Sequence, residues 1–106
     1  MGGSLEKRRL AELTPEQIEE LCFMAEEAAR GYILSRVPPK RVETLNISAD
    51  IEVEEGKPLT LTVDVELTLS PIMKDFDIQR LADEAVKEAF SAAEKYLEEL
   101  KCRLQN

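Results

Sequence analysis

An alternating pattern over residues 44–70 constrains this chain more than any other feature. Apolar side chains occupy the odd positions of two runs, 45–53 and 59–69, and polar side chains occupy the even positions between them. Successive side chains of a β-strand point to opposite faces, so each run predicts a strand with one apolar and one polar face. The segment Glu55-Gly56-Lys57-Pro58 interrupts the alternation, so the two runs predict a β-hairpin.

Parity restricts how these two strands pair. Directly opposed residues share a face, so odd positions must pair with odd positions, and the connecting loop must contain an odd number of residues. We predict the three-residue loop Glu54-Glu55-Gly56, with Gly56 at the left-handed position that such loops favour. The pairs that follow from this loop are Ile51–Leu59, Ile47–Val63 and Leu45–Val65.

Helical periodicity flanks the hairpin on both sides. Thr14-Pro15-Glu16-Gln17 combines an N-cap, a proline suited to the first helical position and a capping-box glutamine, and Pro38-Pro39 ends this first helix. A second helix starts after Asp75 or Asp77 and runs to about residue 103. The predicted fold is α+β, in the order helix-strand-strand-helix, with two antiparallel helices on one face of an antiparallel hairpin. Residues 14–106 form this single domain, and residues 1–13 form a flexible or partly helical arm without a leading strand.

Composition excludes several classes of function. The chain has 106 residues, a net charge of -8 and no histidine. A strongly acidic chain is a poor nucleic-acid binder on its own, and the lack of histidine removes the commonest base and metal ligand. We therefore expect no enzyme, catalytic residue, cofactor or metal. No apolar run approaches the roughly 20 residues that span a bilayer, and the start lacks a signal-peptide pattern, so we expect a cytoplasmic protein.

The two cysteines, Cys22 and Cys102, lie near the same end of the predicted helix pair. The favoured interpretation makes Cys22 a small core residue, and a disulfide between the two stays open. Charge-rich helices and the lack of tryptophan favour a thermophilic source organism.

A partner is expected because a two-stranded sheet is marginal alone and both of its strands are edges. Pairing through the hairpin edge, with a second copy or with another protein, would extend the sheet to four strands. The apolar arc of the second helix is wider than the hairpin and the first helix can cover, and two apolar residues of the first helix face outwards. The candidate interface residues are Phe23, Leu34, Val86, Phe90 and Leu97.

Three cations follow the first helix: Arg36, Lys40 and Arg41. The favoured interpretation places them as favourable charges near the negative end of the helix dipole. The alternative is a small loop that makes a weak anion contact, including a contact to RNA.

The whole order resembles a small archaeal family of unknown function over residues 14–104. The features that carry this resemblance are the Thr14–Gln17 helix start, the Pro38-Pro39 break, the two strands around Gly56 and the Asp-capped, Ala-rich second helix. That family is similar in layout to the small dimerising subunit of the KEOPS complex, which makes threonylcarbamoyl-adenosine on tRNA. The resemblance implies a non-catalytic subunit that pairs with that protein. The KEOPS subunit starts with a strand, and this is where the present chain departs from it.

Three alternatives stay open. A prefoldin-type chaperone subunit also has the order helix, hairpin, helix, but it needs helices long enough for a protruding coiled coil. A small enzyme is disfavoured because the sequence has no histidine and no glycine-rich phosphate loop. An uncharacterised homodimeric α+β protein of another role is compatible with the same pattern.

Overall fold

Two helices lie on one face of an antiparallel sheet. The computed structural model describes the backbone of residues 3–5, 13–52 and 60–104, and the side chains of residues 13–52 and 60–100. The elements are β1 (Gly3–Leu5), α1 (Pro15–Arg36), β2 (Val42–Glu52), β3 (Thr60–Leu69) and α2 (Ile78–Leu104), with single 3-10 turns at Pro39–Arg41 and Pro71–Met73. The predicted α+β class and the helix-strand-strand-helix order of residues 14–104 are confirmed.

The sheet has a third strand that the sequence did not predict. Gly3–Leu5 pairs antiparallel with β3, and the strand order is β1-β3-β2. The expectation of an arm without a strand is therefore wrong at Gly3–Leu5, while residues 6–12 of that arm lie outside the described part of the chain. The expectation that both hairpin strands are edges is also wrong, because β3 is the central strand.

The hairpin register differs from the predicted one by two positions. Odd residues do pair with odd residues, but Ile51 lies opposite Leu61 and Ile47 lies opposite Val65. The predicted partners, Leu59 for Ile51 and Val63 for Ile47, are wrong, and so is Val65 for Leu45, which pairs with Leu67. Lengthening a loop by two residues leaves both apolar faces unchanged, so parity cannot distinguish these registers. The predicted loop Glu54-Glu55-Gly56 lies in the undescribed range 53–59.

A β-bulge opens β2. The pairing shifts between Val42, which lies opposite Leu69, and Thr44, which lies opposite Thr68. An extra residue on one strand of an antiparallel pair changes which face the residues before it point to. Val42 therefore shares the face of Leu69 and packs against the core although its number is even.

The helix ends follow the local sequence. Gln17 N–H donates to Thr14 Oγ1 at 3.2 Å and Thr14 N–H donates to Gln17 Oε1 at 3.0 Å, so the predicted capping box is present. Asp77 Oδ1 accepts from the N–H of Arg80 at 3.1 Å, which decides between the two predicted caps of α2. The end of α1 at Arg36, two residues before Pro38, is confirmed as well.

The core lies between the helices and the apolar face of the sheet. The two helices pack most extensively on each other; on the sheet, α1 packs mainly on β2, and α2 packs on β3 and β1. Alanines dominate where the helices meet, which lets the two backbones approach closely. The buried core residues include Leu21, Ala25, Ala29, Ile33, Leu61, Val63, Val65, Leu81, Ala85, Val86, Ala89, Phe90, Ala93 and Tyr96.

Candidate functional site

The outer face of α1 carries two exposed apolar residues. Phe23 is 59 % exposed and Leu34 is 37 % exposed. They are three helical turns apart on one face, about 16 Å along the axis. Between them, Arg30 Nη1 lies 3.2 Å from Glu27 Oε1. The expected exposure of Phe23 and Leu34 is therefore confirmed, and their role in an interface stays a prediction.

The candidate residues of α2 lie inside the protein. Val86 is 1 % exposed and Phe90 is 5 % exposed, and Leu97 is half-buried against the core. The expectation that this flank of α2 is left uncovered is wrong for Val86 and Phe90. α2 packs on α1, on β3 and also on β1, and this third strand makes the sheet about 4.8 Å wider than the expected hairpin.

The three predicted cations belong to two separate elements. The guanidinium of Arg36 lies 5.0 Å from the centre of the Tyr32 ring, in cation–π geometry. Lys40 and Arg41 belong to the separate 3-10 turn that follows Pro38. Arg36 therefore belongs to the end of α1. In the described part of the chain, no residue contacts Arg36, Lys40 and Arg41 together.

Arg36 borders a cleft of about 470 Å³ between the end of α1 and the start of α2. Its wall combines two arginines, two acids and three apolar or aromatic side chains. These lining residues are Tyr32, Arg36, Phe76, Asp77, Arg80, Leu81 and Glu84. Because the arginines and acids are equal in number, the cleft has no strong preference for either sign of charge.

A hydrogen-bond network crosses this cleft. The Tyr32 hydroxyl donates to Glu84 Oε2, and Arg80 Nε donates to Glu84 Oε1 at 3.0 Å. The hydrogen bond from Tyr32, and then the one from Arg80, lower the pKa of Glu84. The same bond to Glu84 is the main cause that raises the pKa of Tyr32. At the other end of the helix pair, the Tyr96 hydroxyl donates to Glu20 Oε2 at 2.8 Å.

Sequence reasoning missed the contact that α1 makes with the border of the sheet. The N–H of Ala49, in the middle of β2, donates to Glu26 Oε1 at 3.2 Å. Helical spacing alone favours an ion pair of Arg30 with Glu26, four residues before it, but Arg30 contacts Glu27 instead. Helical spacing brings Arg30 within reach of both acids, and only the position of β2 decides which of them it contacts.

We call the side of β2 that faces away from β3 the β2 edge. No strand pairs with this side among the residues that the structure describes, because β2 is the outermost strand of the order β1-β3-β2. In an antiparallel pair, the N–H and C=O groups of alternate residues point away from the partner. The Ala49 N–H points this way, so the same groups of Leu45, Ile47 and Ile51 are expected to do so.

Cys22 lies one helical turn before Glu26. It is free, half-buried and packed against the core, as the favoured interpretation predicted. Burial raises the pKa of its thiol, and the negative charges of Asp50 and Glu26 raise it further. Two carboxylates and a protonated thiol therefore lie close together beside the β2 edge.

Two further observations concern the described residues. They contain no group of three or more histidine, cysteine, aspartate or glutamate side chains arranged to hold a metal ion. None of their helices combines the length and apolar character needed to cross a membrane.

Comparison with known proteins places this arrangement in a family. The model of DUF3194, a protein family of unknown function, matches residues 10–96. The chain belongs to the DUF3194 family. The uncharacterized protein TK0644 of Thermococcus kodakarensis is 33 % identical over 91 residues, which cover 86 % of this chain and 82 % of that protein. The uncharacterized protein PF0383 of Pyrococcus furiosus is 31 % identical over 88 residues, which cover 83 % of this chain and 77 % of that protein.

A solved structure has the same fold. A crystal structure from Thermococcus onnurineus NA1 superposes with a TM-score of 0.79 at 29 % sequence identity, and the match covers 96 % of each chain. The expected resemblance to a small archaeal family of unknown function is therefore confirmed. The DUF3194 match includes Phe23, Glu26, Leu34 and all of β2, so both surfaces described above fall within the family region.

Proposed function

We propose that this DUF3194 protein is a non-catalytic accessory subunit that pairs with the small dimerising subunit of a KEOPS-like tRNA-modification complex in the archaeal cytoplasm. The observation that carries the proposal is the strand Gly3–Leu5. With β1, the element order becomes strand, helix, two strands, helix, which is the order of the KEOPS subunit that the chain resembles. The expected difference between this chain and the KEOPS subunit was the lack of a leading strand. The presence of that strand strengthens the likeness.

Two surfaces support a role in pairing. The β2 edge offers backbone donors and acceptors to an added strand, which is a common way for sheets to join. The outer face of α1 offers Phe23 and Leu34, and exposed apolar residues in line are typical of protein interfaces. A related subunit with its own edge strand could use the first surface, and a larger partner could cover the second.

The packing of the helices disfavours a prefoldin-like role. A chaperone of that type needs helices that project away from the sheet as a coiled coil. Here α1 buries residues from Leu21 to Ile33, and α2 buries residues from Leu81 to Tyr96, against each other and the sheet. Little of either helix is left to project.

Co-purification tests the proposal. The tagged protein is isolated from native archaeal extract and its companions are identified by mass spectrometry, and it is also co-expressed with the KEOPS small subunit of the same organism. We expect the two proteins to elute together at the mass of a complex. Separate elution, and an absence of KEOPS subunits from the native sample, would contradict the proposal.

A pair of matched variants locates the surface that α1 contributes. Phe23→Glu combined with Leu34→Glu places charge on the outer face of α1 and should reduce co-elution with any partner that covers it. Ile72→Glu is the control, because Ile72 is 70 % exposed but lies in the 3-10 turn after β3. Equal retention of the partner by both variants would exclude the outer face of α1 as the contact.

A further inference from the structure

The β2 edge is guarded at its centre. An unpaired edge of a long strand invites uncontrolled pairing, and proteins commonly protect it with a charged group or an overlying helix. Here α1 does both, because the Glu26 carboxylate accepts the outward N–H of Ala49. This contact occupies one amide of an eleven-residue strand, and no other side chain in the described part of the chain bonds to the outward groups of β2.

The charge of β2 restricts what can be added to this edge. The strand Val42–Glu52 contains Glu43, Asp50 and Glu52 and no lysine or arginine. All three carboxylates are exposed. Asp50 and Glu26 also lie close enough to the Cys22 thiol to raise its pKa, after the larger effect of burial. A strand that lies along β2 must therefore tolerate several nearby carboxylates.

A second copy of this chain does not fit that requirement. Two β2 strands joined edge to edge would place six carboxylates in one strand pair, with no lysine or arginine in either strand. Like charges directly opposite each other destabilise a strand pair, and opposite charges stabilise it. The edge therefore suits a strand that carries lysine or arginine better than it suits a second acidic copy.

We propose that the β2 edge is a docking site for a basic, extended strand of another protein, and that Glu26 holds the Ala49 amide until a carbonyl of that strand replaces the carboxylate. This inference rests on the proposed function only in that both require a partner, and it specifies the chemistry of the segment that the partner contributes. The added strand pairs its backbone with the outward groups of β2, and its cations lie beside Asp50 and Glu52 on the polar face.

Capped synthetic peptides of one strand's length test this site directly. One alternates lysine with valine and another alternates glutamate with valine. Chemical-shift mapping of the 15N-labelled protein should show the lysine peptide perturbing the amides of β2, centred on Ala49, and the glutamate peptide should have no such effect. A third peptide keeps the lysines but carries N-methyl groups on alternate residues, so it has the same charge and cannot complete a ladder. It should bind much more weakly.

Two double variants separate the edge from the general acidity of the protein. Asp50→Asn with Glu52→Gln removes two charges from β2, and Asp64→Asn with Glu66→Gln removes two charges from β3 on the same exposed face. We expect the β2 variant to raise the Kd of the lysine peptide by about two- to fivefold per lost ion pair, and the β3 variant to change it less.

Hydrogen exchange tests the guard. In the free protein, Glu26→Ala should bring the exchange rate of the Ala49 amide up to those of Ile47 and Ile51. Glu27→Ala, one residue further along α1, should leave it unchanged. Sedimentation of the wild-type protein at high concentration should show no dimer that depends on β2. Asp50→Asn with Glu52→Gln reduces the repulsion between two copies and should therefore increase self-association at this edge.

Several outcomes would overturn the inference. Equal binding of lysine and N-methylated peptides would mean simple charge attraction, and perturbations away from β2 would mean another site. A wild-type homodimer with protected β2 amides would make a second copy the occupant. The peptides do not require the KEOPS-like complex, so docking at β2 without co-purification would refute only the proposed function. Co-purification without any effect of the β2 variants would refute only this inference.

Discussion

Two tyrosine hydroxyls join α1 to α2 in a reciprocal arrangement. Tyr32 of α1 donates to Glu84 of α2, and Tyr96 of α2 donates to Glu20 of α1. The two contacts are twelve residues apart on both helices. The second contact lies at a lower residue number on α1 and at a higher one on α2, so the helices are antiparallel. These contacts fix how far one helix slides along the other, which alanine-rich surfaces alone define poorly.

The Tyr32 contact should make stability depend on pH at both extremes. The pKa of Glu84 is lowered in the fold, so its contribution is complete above the ordinary glutamate value and is lost as pH falls through the folded value. The pKa of Tyr32 is raised, so its contribution is complete below the ordinary tyrosine value and is lost as pH rises through the folded value. Tyr32→Phe should therefore destabilise the protein most near neutral pH.

Denaturant titrations of wild type and Tyr32→Phe across pH 3 to 11 would measure this difference. The phenylalanine ring keeps the surface on which Arg36 lies, so the variant isolates the hydroxyl. Glu84→Gln is the companion variant, because it keeps an acceptor and removes the titrating charge. A difference that stays constant over the whole range would show that the hydroxyl contributes nothing through ionisation.

The capping box of α1 gives a second prediction at this scale. Thr14→Ala removes the side chain that accepts the Gln17 N–H and should lower the free energy of unfolding by about 1 kcal/mol. Thr14→Ser keeps the hydroxyl and should stay close to wild type. Chemical denaturation followed by circular dichroism gives both values, and equal losses for the two variants would argue against the hydroxyl as the cause.

At the scale of elements, the strands were the easiest to predict and their register was the hardest. Alternation over residues 44–70 fixed which residues of β2 and β3 face the helices, and Thr14, Pro38 and Asp77 marked helix ends through local chemistry. The register depends on the number of residues in the connection, and two more or two fewer leave the pattern unaltered. The Glu26–Ala49 contact depends on where α1 lies over β2, which periodicity within either element does not contain.

Two phenylalanines distinguish the two faces of the helix pair. Phe90→Glu places a charge at a buried position and should cost more than the 3–5 kcal/mol typical of truncating a buried phenylalanine, so that the protein unfolds. Phe23→Glu changes an exposed side chain and should alter the free energy of unfolding by about 0.5 kcal/mol or less. Thermal and denaturant unfolding followed by circular dichroism would compare them, and a folded Phe90→Glu protein would contradict the assignment of this flank to the core.

At the scale of the whole molecule, β1 adds a third strand to the sheet on which α2 packs. The three residues of Gly3–Leu5 are too few to show an alternation of apolar and polar side chains, so no sequence pattern predicted this strand. Without it, the sheet looks too narrow for α2, and Val86 and Phe90 look available to a partner. In the structure, the two residues Val86 and Phe90 that were predicted to lie at the surface belong to the core, and α2 packs on a sheet one strand wider than the sequence indicated.

Shortening the chain tests the importance of β1. A protein that begins at residue 6 lacks Gly3–Leu5 and should unfold at a lower denaturant concentration than one that begins at Gly3. It should also bind more of a dye that reports exposed apolar surface, because α2 loses the contacts that it makes with β1. Identical midpoints and identical dye binding would show that β1 adds nothing to the core.

The central position of β3 has a consequence for how the gene of such a protein can change in length. An inserted codon within Thr60–Leu69 would shift the facing residues of β1 and β2 together, and every side chain beyond it would exchange faces. β2 already accommodates one additional residue near Glu43. Insertions and deletions among relatives should therefore occur at that end of β2 and between β2 and β3, and they should be rare within β3, which pairs with both other strands.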